Sequence, residues 1–145
     1  MRLDRSINAI RYRAASPPAP RHKRGVGASE KSLWGDFNVA RDEKDVARLE
    51  AWAGTVLFHH ETRSAMEHLL AWGLVDVFRQ HHPEGGLYSW WDYRMLAFPK
   101  NDGLRLDYLL ATEPLAARCT AAEIDREQRK GEKPSDHAPV VTLFA

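Results

Sequence analysis

The stretch L-W-G-D-F-N occupies residues 33–38, where a short apolar run passes through a glycine and ends on polar side chains. Large apolar residues followed by Gly and Asp are typical of a strand that stops at the rim of a sheet. The backbone of such a strand is anchored while its last side chains face solvent. The stretch therefore predicts a strand that carries the Asp36 carboxylate and the Asn38 amide at its exposed end.

Further strands and helices are predicted on the C-terminal side of this strand. Residues 61–72 place Met66, Leu69 and Leu70 on one helical face, and Gly73 follows as a C-terminal cap. Aromatic or alternating apolar patterns predict strands at 87–91, 104–110, 120–125 and 139–144. The charged stretch 42–52 predicts a solvated turn or short helix, and 113–118 predicts a helical turn. The short apolar stretch 74–78 is expected to enter the core. Strands with interspersed helices predict an α/β sheet layer with helices packed on it.

The composition is that of one ordinary globular domain. The chain has 145 residues, of which 43% are hydrophobic and 28% charged, and no run approaches the length of a membrane span. No secretory signal pattern is visible at the N-terminus, so a cytoplasmic location is predicted. The single cysteine, Cys119, excludes an internal disulfide framework and a thiolate metal site, and is interpreted as a small buried residue.

The N-terminal segment differs from the rest of the chain in charge and composition. Residues 1–33 contain eight Lys or Arg against two acids, a net charge of +6, so residues 34–145 carry −5. Prolines and glycines in 14–29 predict a linker, and 6–13 predicts at most a short strand. We therefore divide the chain into a disordered basic leader, 1–30, and an ordered domain, 31–145. The alternative interpretation of the leader is an arm that holds a polyanion near an acidic cleft.

Several acids lie at the ends of apolar runs. Asp36 follows the first such run, Asp107 lies among leucines, and Asp136 with His137 precedes an apolar stretch. Carboxylates that converge at a sheet edge form the oxygen-rich site that Mg²⁺ or Mn²⁺ prefers. Each signal is weak alone, because an Asp-His pair more often caps a turn than catalyses a reaction.

These residue types together match the needs of phosphodiester hydrolysis. The reaction requires a cation, a base that activates water, and a donor to the phosphoryl oxygens. Asp36 or Asp136 can hold metal or activate water, and Asn38 can donate to a phosphate oxygen. His137 can donate to the developing charge if Asp107 fixes its tautomer.

Six strings in order along the chain resemble the exodeoxyribonuclease III branch, which includes AP endonucleases, of the endonuclease/exonuclease/phosphatase superfamily. They are G-D-F-N-V-A (35–40), G-L-V-D-V-F-R (73–79), H-P-E (82–84), Y-S-W-W-D-Y-R (88–94), N-D-G-L-R-L-D-Y-L-L (101–110) and I-D-R-E-Q-R-K-G-E-K-P-S-D-H-A-P-V (124–140). The resemblance covers about three quarters of the chain and corresponds to the C-terminal half of the family. It implies part of a deoxyribonuclease I-like four-layered sandwich, roughly one sheet with packed helices.

The resemblance also implies an activity and residue roles. The activity is Mg²⁺-dependent (or Mn²⁺-dependent) hydrolysis of double-stranded DNA in base-excision repair, at abasic sites and 3′ ends, by a monomer with no membrane partner. Catalytic roles fall to Asp36, Asn38, Asp107 and His137, and the metal site to Asp36, Asn38, Asp136 and His137. Asp36 is preferred as the water activator, and His137 is assigned to the phosphate.

An aromatic and basic set resembles the DNA-facing region of the family, namely Trp90, Trp91, Tyr93, Arg94, Lys100 and Leu104. Aromatic faces can stack on bases, and cations can position the phosphate backbone. The alternatives are core packing for the members of this set other than Lys100, favoured for at least one tryptophan, and a surface salt bridge for Lys100. Five histidines in 59–82 fit no zinc-ligand spacing and are expected at the surface.

The chain departs from the family pattern in its N-terminal part. The family's metal-binding glutamate has no counterpart in residues 1–33, which predicts weakened Mg²⁺ binding. A truncated sandwich would expose the inner face of its sheet, so a separate chain that completes it is one predicted partner. Three hypotheses remain: a repair nuclease, a catalytically impaired remnant that at most binds DNA, and a hydrolase of phosphomonoesters or phospholipid headgroups, against which the W-W-D-Y-R string argues.

Overall fold

The structure, a computed structural model, describes residues 29–145. Its strands are β1 (Ser32–Asp36), β2 (Leu74–Asp76), β3 (Asp107–Thr112), β4 (Cys119–Ile124) and β5 (Val140–Phe144). Its α-helices are α1 (Leu49–Trp52), α2 (His60–Leu70), α3 (Val77–His81) and α4 (Glu113–Ala116), with 3-10 turns at Glu43–Asp45, Val56–Phe58 and Arg126–Arg129. The predicted leader disorder and the strand predicted at 6–13 lie outside the described residues. The domain boundary at residue 30 therefore stays a prediction.

The described strands form two antiparallel sheets rather than one. The first has the order β1-β3-β2, and the second pairs β4 with β5. In the first sheet, the register places Asp36 opposite Asp107 and Leu74 opposite Thr112. β3 is therefore the central strand, and its first residue meets the last residue of β1 at one edge of the sheet.

Helix α2 covers the first sheet with the face that the sequence predicts. Met66 is buried, and Leu69 and Leu70 are half-buried beside it, in a cluster that includes Tyr108 and Leu110 of β3. The helix begins where the His59 side chain accepts a hydrogen bond from the backbone N–H of Glu61. Gly73 follows with a φ of 96°, a left-handed conformation that glycine adopts without strain. The helix prediction is confirmed to within two residues.

The strand predicted at 87–91 is wrong. In this segment, the backbone N–H groups of Ser89 and Trp90 both donate to the carbonyl of Leu104, whereas the Trp91 N–H donates to the carbonyl of Asp136. The segment thus divides its hydrogen bonds between two neighbours instead of following one of them as a ladder. The strand predicted at 104–110 begins three residues later, at Asp107, because the backbone of Leu104 bonds to Ser89 and Trp90 instead of to a strand of the sheet.

Gly103 allows the backbone before β3 to lie close to Trp90 and Trp91. A Cβ atom at this position would lie 2.5 Å from the Trp91 indole nitrogen and 2.6 Å from the Trp90 carbonyl oxygen. Both distances are shorter than non-bonded atoms allow, so no larger residue fits unless the Trp90–Trp91 backbone moves. The glycine therefore positions the segment that carries the two tryptophans against the start of β3.

A charged cluster lies in the interior, beneath the start of β3. Arg105 is fully buried and forms ion pairs with Asp45 at 2.6 Å and with Asp76 at 2.7 Å. Its guanidinium also lies over the Tyr108 ring, 4.3 Å from the centroid. Burial alone would lower the pKa of Arg105, but nearby Tyr108 and the two carboxylates outweigh it and raise that pKa. The prediction that 42–52 is solvated is wrong at Asp45, which is completely buried because this arginine binds it.

Candidate active site

Two carboxylates face each other across the β1–β3 pair. Asp36 is the last residue of β1 and is exposed, and Asp107 is the first residue of β3 and is half-buried. Residues directly opposite in an antiparallel pair have Cβ atoms about 4.5–5.5 Å apart. The register of the sheet, rather than proximity in sequence, thus brings together two acids that are 71 positions apart in the chain.

His137 completes a compact group with these acids. Its Nδ1 lies 2.8 Å from Oδ2 of Asp107, and its Nε2 lies 3.8 Å from Oδ2 of Asp36. One ligand atom from each of the three residues lies within 4.8 Å of the others. Since a carboxylate only accepts hydrogen bonds, Nδ1 of His137 is the protonated nitrogen in the bond to Asp107. This bond directs Nε2 toward Asp36 and the open side of the site.

The loop after β1 is held by the Asp36 carboxylate and by Tyr108. Asn38 has a φ of 52°, and its backbone N–H donates to Oδ1 of Asp36 at 2.8 Å. The Tyr108 hydroxyl donates to the Val39 carbonyl at 2.9 Å and accepts from the Arg41 N–H at 3.0 Å. Burial, together with the negative charge of Asp45, raises the pKa of Tyr108, so this hydroxyl remains a donor. Asn38 is exposed beside Asp36, and its predicted role as a phosphate donor or metal ligand stays a prediction.

The Asp136 carboxylate is not part of the group formed by Asp36, Asp107 and His137. Its Oδ2 accepts a hydrogen bond of 2.9 Å from the indole N–H of Trp90. Asp136 therefore connects the segment that bears His137 to the aromatic segment, and its assignment as a metal ligand stays a prediction.

The sequence interpretation missed Ser89, which is completely buried behind the site. Its hydroxyl donates to Oδ2 of Asp107 at 2.6 Å and accepts from the N–H groups of Leu106 and Asp107 at 3.0 and 3.1 Å. A signal for it exists in the sequence, because Ser89 is the one polar residue within the apolar run 87–91. A hydroxyl enclosed by apolar neighbours needs hydrogen-bond partners, and here the partners belong to the site.

Two residues predicted to face DNA are core residues instead. Trp91 and Leu104 are both 0% exposed. Trp91 packs edge-on against Phe98, and Leu104 packs in a cluster with Val46 and Phe58. Their side chains have no surface with which to contact a nucleic acid, and the alternative of core packing applies to them.

The other residues of that set remain accessible to different degrees. Trp90 is half-buried and packs edge-on against Trp52, with ring centroids 5.7 Å apart. Tyr93 is 63% exposed, and Arg94 and Lys100 are also at the surface. The Arg94 guanidinium donates hydrogen bonds to Asp92 and lowers the pKa of that carboxyl to about 2. Contact of these side chains with DNA stays a prediction.

Among residues 29–145, Asp36, Asp107 and His137 are the one group of three possible ligands whose atoms lie within 4.8 Å of one another, and this group includes no residue of the histidine-rich segment. His60 and His68 are exposed, as predicted, but the remaining three (His59, His81 and His82) are half-buried. His82 stacks on Phe78 at 4.6 Å and bonds to the carbonyl of Ala122 at 2.6 Å.

Cys119 is buried and free. No helix within 29–145 combines the length and apolar character that crossing a membrane requires.

Comparison with known proteins finds one family and several relatives. The profile of the Endonuclease/Exonuclease/phosphatase family matches residues 35–137. Exodeoxyribonuclease III of Haemophilus influenzae is 36% identical over 119 residues, which amount to 77% of this chain and 45% of the relative. The chain thus spans less than half the length of this relative.

Solved structures agree with this assignment. A 3′ phosphatase from Neisseria, bound to a product DNA hairpin, superposes with a TM-score of 0.78 at 39% identity, over 80% of this chain and 45% of that one. An AP endonuclease from Archaeoglobus fulgidus gives a TM-score of 0.77 at 41% identity, over 80% of this chain and 46% of that one. The resemblance to the exodeoxyribonuclease III branch and the partial deoxyribonuclease I-like α/β fold are both confirmed.

Proposed function

Because the chain belongs to the Endonuclease/Exonuclease/phosphatase family, we propose that it hydrolyses phosphodiester bonds in DNA with the help of a divalent cation. The observation that carries the proposal is the placement of His137 between Asp107, at 2.8 Å, and Asp36, at 3.8 Å. This arrangement directs one imidazole nitrogen at a carboxylate that orients it and the other at an exposed acid. Its relatives in the exodeoxyribonuclease III branch are hydrolases that act on DNA.

The three side chains have distinct roles in this proposal. Asp36 accepts a proton from the attacking water, because its carboxylate is exposed at the end of β1. In the protonated ring, Nε2 of His137 donates a hydrogen bond to a phosphoryl oxygen and so stabilises the negative charge that develops there. Asp107 accepts the hydrogen bond from Nδ1 and keeps the ring in the required orientation.

The donor set fits a hard divalent cation. Two carboxylates and an imidazole present ligand atoms within 4.8 Å of one another, and the oxygen-rich character of the group suits Mg²⁺ or Mn²⁺. Asp36 is the principal ligand in this proposal because Oδ2 of Asp107 already accepts hydrogen bonds from Ser89 and His137. Asn38 and Asp136 are further ligands that the sequence predicts. The sequence also predicts His137 as a ligand, but its Nε2 cannot bind the cation while it donates a hydrogen bond to the phosphate, and we assign it the phosphate. The cation, when bound, would neutralise charge on the phosphate.

The substrate we propose is double-stranded DNA with abasic sites or 3′ ends. The Neisseria relative was solved with a product DNA hairpin, and others are named AP endonucleases. On this chain, the exposed Tyr93, Arg94 and Lys100 can stack on a base or position the phosphate backbone. Such contacts carry no sequence readout, which suits an enzyme that recognises damage or ends.

A specific observation favours a second candidate, in which this chain binds DNA without turnover until a partner completes it. Thr112 N–H donates to the Lys31 carbonyl and Phe37 N–H donates to the Leu106 carbonyl, so odd-numbered residues of β1 face β3. The backbone groups of Ser32, Trp34 and Asp36 then point away from the sheet, and no described strand pairs with them. A separate polypeptide that adds a strand here would lie directly beside Asp36.

Cleavage of a duplex with one abasic site tests these candidates. We expect the chain to cleave it with Mg²⁺ and to stop when EDTA removes the ion. Asp36→Asn and His137→Gln should each lower the rate by about 10²–10⁴-fold, the usual contribution of a positioned acid or base. Glu127→Gln, a surface change at a residue that pairs with Lys130, is the matched control and should retain the rate.

Three outcomes separate the candidates. Rates in Asp36→Asn and His137→Gln that equal the unchanged chain would contradict the proposed catalytic site. Salt-sensitive binding of the duplex with no cleavage would favour the second candidate, since phosphate contacts release counterions. Cleavage by the purified chain alone, at a rate typical of a complete nuclease, would exclude it.

A further inference from the structure

Ser89 is a buried polar residue that contacts the Asp107 carboxylate from the interior of the protein. Its hydroxyl oxygen lies 2.6 Å from Oδ2 of Asp107, the same oxygen that His137 binds at 2.8 Å. The residue is 0% exposed, so it can reach neither substrate nor solvent. Any effect on the reaction must therefore pass through Asp107.

The hydrogen bonds of this hydroxyl leave it one orientation. A serine hydroxyl has one hydrogen to donate and two lone pairs that accept. Both acceptor positions are occupied by the backbone N–H groups of Leu106 and Asp107, at 3.0 and 3.1 Å. The single hydrogen must then be donated to Oδ2 of Asp107. Because all three interactions are internal to the protein, the direction of the O–H bond does not depend on solvent.

The backbone of Ser89 also connects the strands and loops that carry the site. Its N–H donates to the Leu104 carbonyl at 3.0 Å, and its carbonyl accepts from the Ala138 N–H at 2.8 Å. One residue thus binds the segment that leads into Asp107, and also the residue that follows His137. The side chain and the backbone of Ser89 act on the same pair of catalytic groups.

We propose that Ser89 is a positioning residue: its hydroxyl fixes the Asp107 carboxylate, which in turn holds His137 with Nδ1–H inward and Nε2 toward Asp36. The inference deepens the proposed function and rests on it for its catalytic meaning. Without the hydroxyl, Oδ2 of Asp107 keeps one of its two side-chain donors, and the carboxylate gains freedom to rotate about its terminal torsion. The imidazole then loses its fixed acceptor and a part of its tautomer preference.

The tautomer of His137 gives a readout that does not require turnover. Nitrogen NMR on the neutral ring distinguishes Nδ1–H from Nε2–H, and the signals are assigned with the His137→Gln variant. In the unchanged chain we expect Nδ1–H to dominate, and in Ser89→Ala we expect the Nε2–H fraction to rise severalfold. Ser89→Cys keeps the shape of the side chain but has a larger sulfur atom that is a weaker donor, so an intermediate value is expected.

The matched control is Tyr108→Phe, which also removes a buried hydroxyl. That hydroxyl bonds to the carbonyls of Val39 and Arg105 and to the Arg41 N–H, but not to Asp107 or His137. Both variants should lose stability in a thermal melt, whereas only Ser89→Ala should change the His137 tautomer. Equal tautomer populations in Ser89→Ala and the unchanged chain would overturn the proposal, as would an equal change in Tyr108→Phe.

Kinetics on the abasic duplex provide a second readout. We expect Ser89→Ala to lower kcat by about 10-fold to 100-fold, the usual effect of removing a group that orients an active-site residue, with KM unchanged. Ser89→Cys should recover part of kcat. A lower apparent affinity with kcat unchanged would contradict a positioning role. If the unchanged chain does not cleave DNA, the proposed function fails, whereas the NMR result still decides whether Ser89 orients His137.

Discussion

The two sides of the site differ in how the chain supports them. Asp107 accepts a hydrogen bond from the buried Ser89 and in turn binds His137, and Arg105, two residues before Asp107 in the chain, is buried in an ion cluster. Asp36, in contrast, lies on β1, an edge strand on which Leu33 is 44% exposed and Trp34 is 74% exposed. We call Asp107, His137, Ser89 and the Arg105 cluster the supported side, and Asp36 with the rest of β1 the edge side. The difference shows that Asp107 and His137 are held by hydrogen bonds from within the chain, whereas no described strand lies on the outer side of β1 beside Asp36.

The supported side has a physical basis in satisfied polar groups. The Ser89 hydroxyl, Oδ2 of Asp107 and the backbone N–H groups of Leu106 and Asp107 all have partners within the chain, and buried polar groups that are satisfied restrict a region to one arrangement. On the edge side, no strand within residues 29–145 pairs with the outer backbone groups of β1, and Leu33 and Trp34 are exposed; both features favour association. Three predictions test this contrast, beginning with the largest expected effect.

Replacing Arg105 should damage the supported side most. Arg105→Met removes the fully buried partner of Asp45 and Asp76 and leaves Asp45 with Arg79 and Asp76 with the more distant Arg41. Breaking a buried pair in this way costs about 3–5 kcal/mol in the free energy of unfolding. Urea denaturation followed by tryptophan fluorescence measures it. The control is Lys130→Met, which breaks an exposed pair with Glu127 and should shift the midpoint little. Equal shifts in the two variants would contradict the expected cost of breaking the buried pairs of Arg105.

A smaller effect is expected at the exposed Arg94. The pKa of Asp92 is lowered to about 2 because Arg94 donates hydrogen bonds to its carboxylate. A lowered folded-state pKa stabilises the fold at a pH above the unfolded value, near 3.9, and this contribution is lost as the pH falls through about 2. In Arg94→Gln, carbon NMR should find the pKa of Asp92 nearer its ordinary value. An unchanged titration curve would refute this pairing in solution. The pair is exposed, so stability at neutral pH should hardly change.

The smallest effect on stability is expected at the edge side, where association should change instead. Trp34→Lys replaces a side chain that is 74% exposed, so the free energy of unfolding should stay within about 0.5 kcal/mol. A charge on an edge strand opposes strand addition, so self-association measured by light scattering should fall. The control is Trp72→Lys, because Trp72 is 72% exposed and lies outside every strand. A fall of the same size in both variants would indicate general hydrophobic association.

Much of the fold follows from local patterns in the sequence. The pattern of Met66, Leu69 and Leu70 predicts α2, and β1, β4, β5 and α4 lie within one or two residues of their predicted positions. The strand predicted at 87–91 fails because its aromatic residues satisfy a burial requirement rather than a β ladder. Aromatic content predicts a buried, extended segment, but not which neighbour its backbone bonds to.

The candidate site shows the same division. The positions of Asp36, Asp107 and His137 at the ends of apolar runs follow from the sequence and from the family resemblance, and the structure brings these three together. Neither shows which of the two tryptophans lies in the core, nor that Ser89 donates to Asp107. Burial depends on which surfaces meet in three dimensions, and W-W does not indicate which ring is buried and which is half-buried.

The sequence by itself determines the family, the acids and histidine of the candidate site, and most of the elements that carry them, because these depend on residue types at fixed local spacings. The tertiary structure alone decides that Asp36 lies opposite Asp107, since strand register is set by packing over a separation of 71 residues. It also decides that Ser89 and Arg105 are buried and paired. Hydrogen bonds and ion pairs between distant segments leave no periodic pattern in a sequence, so the supported side and the edge side become distinct only in the folded chain.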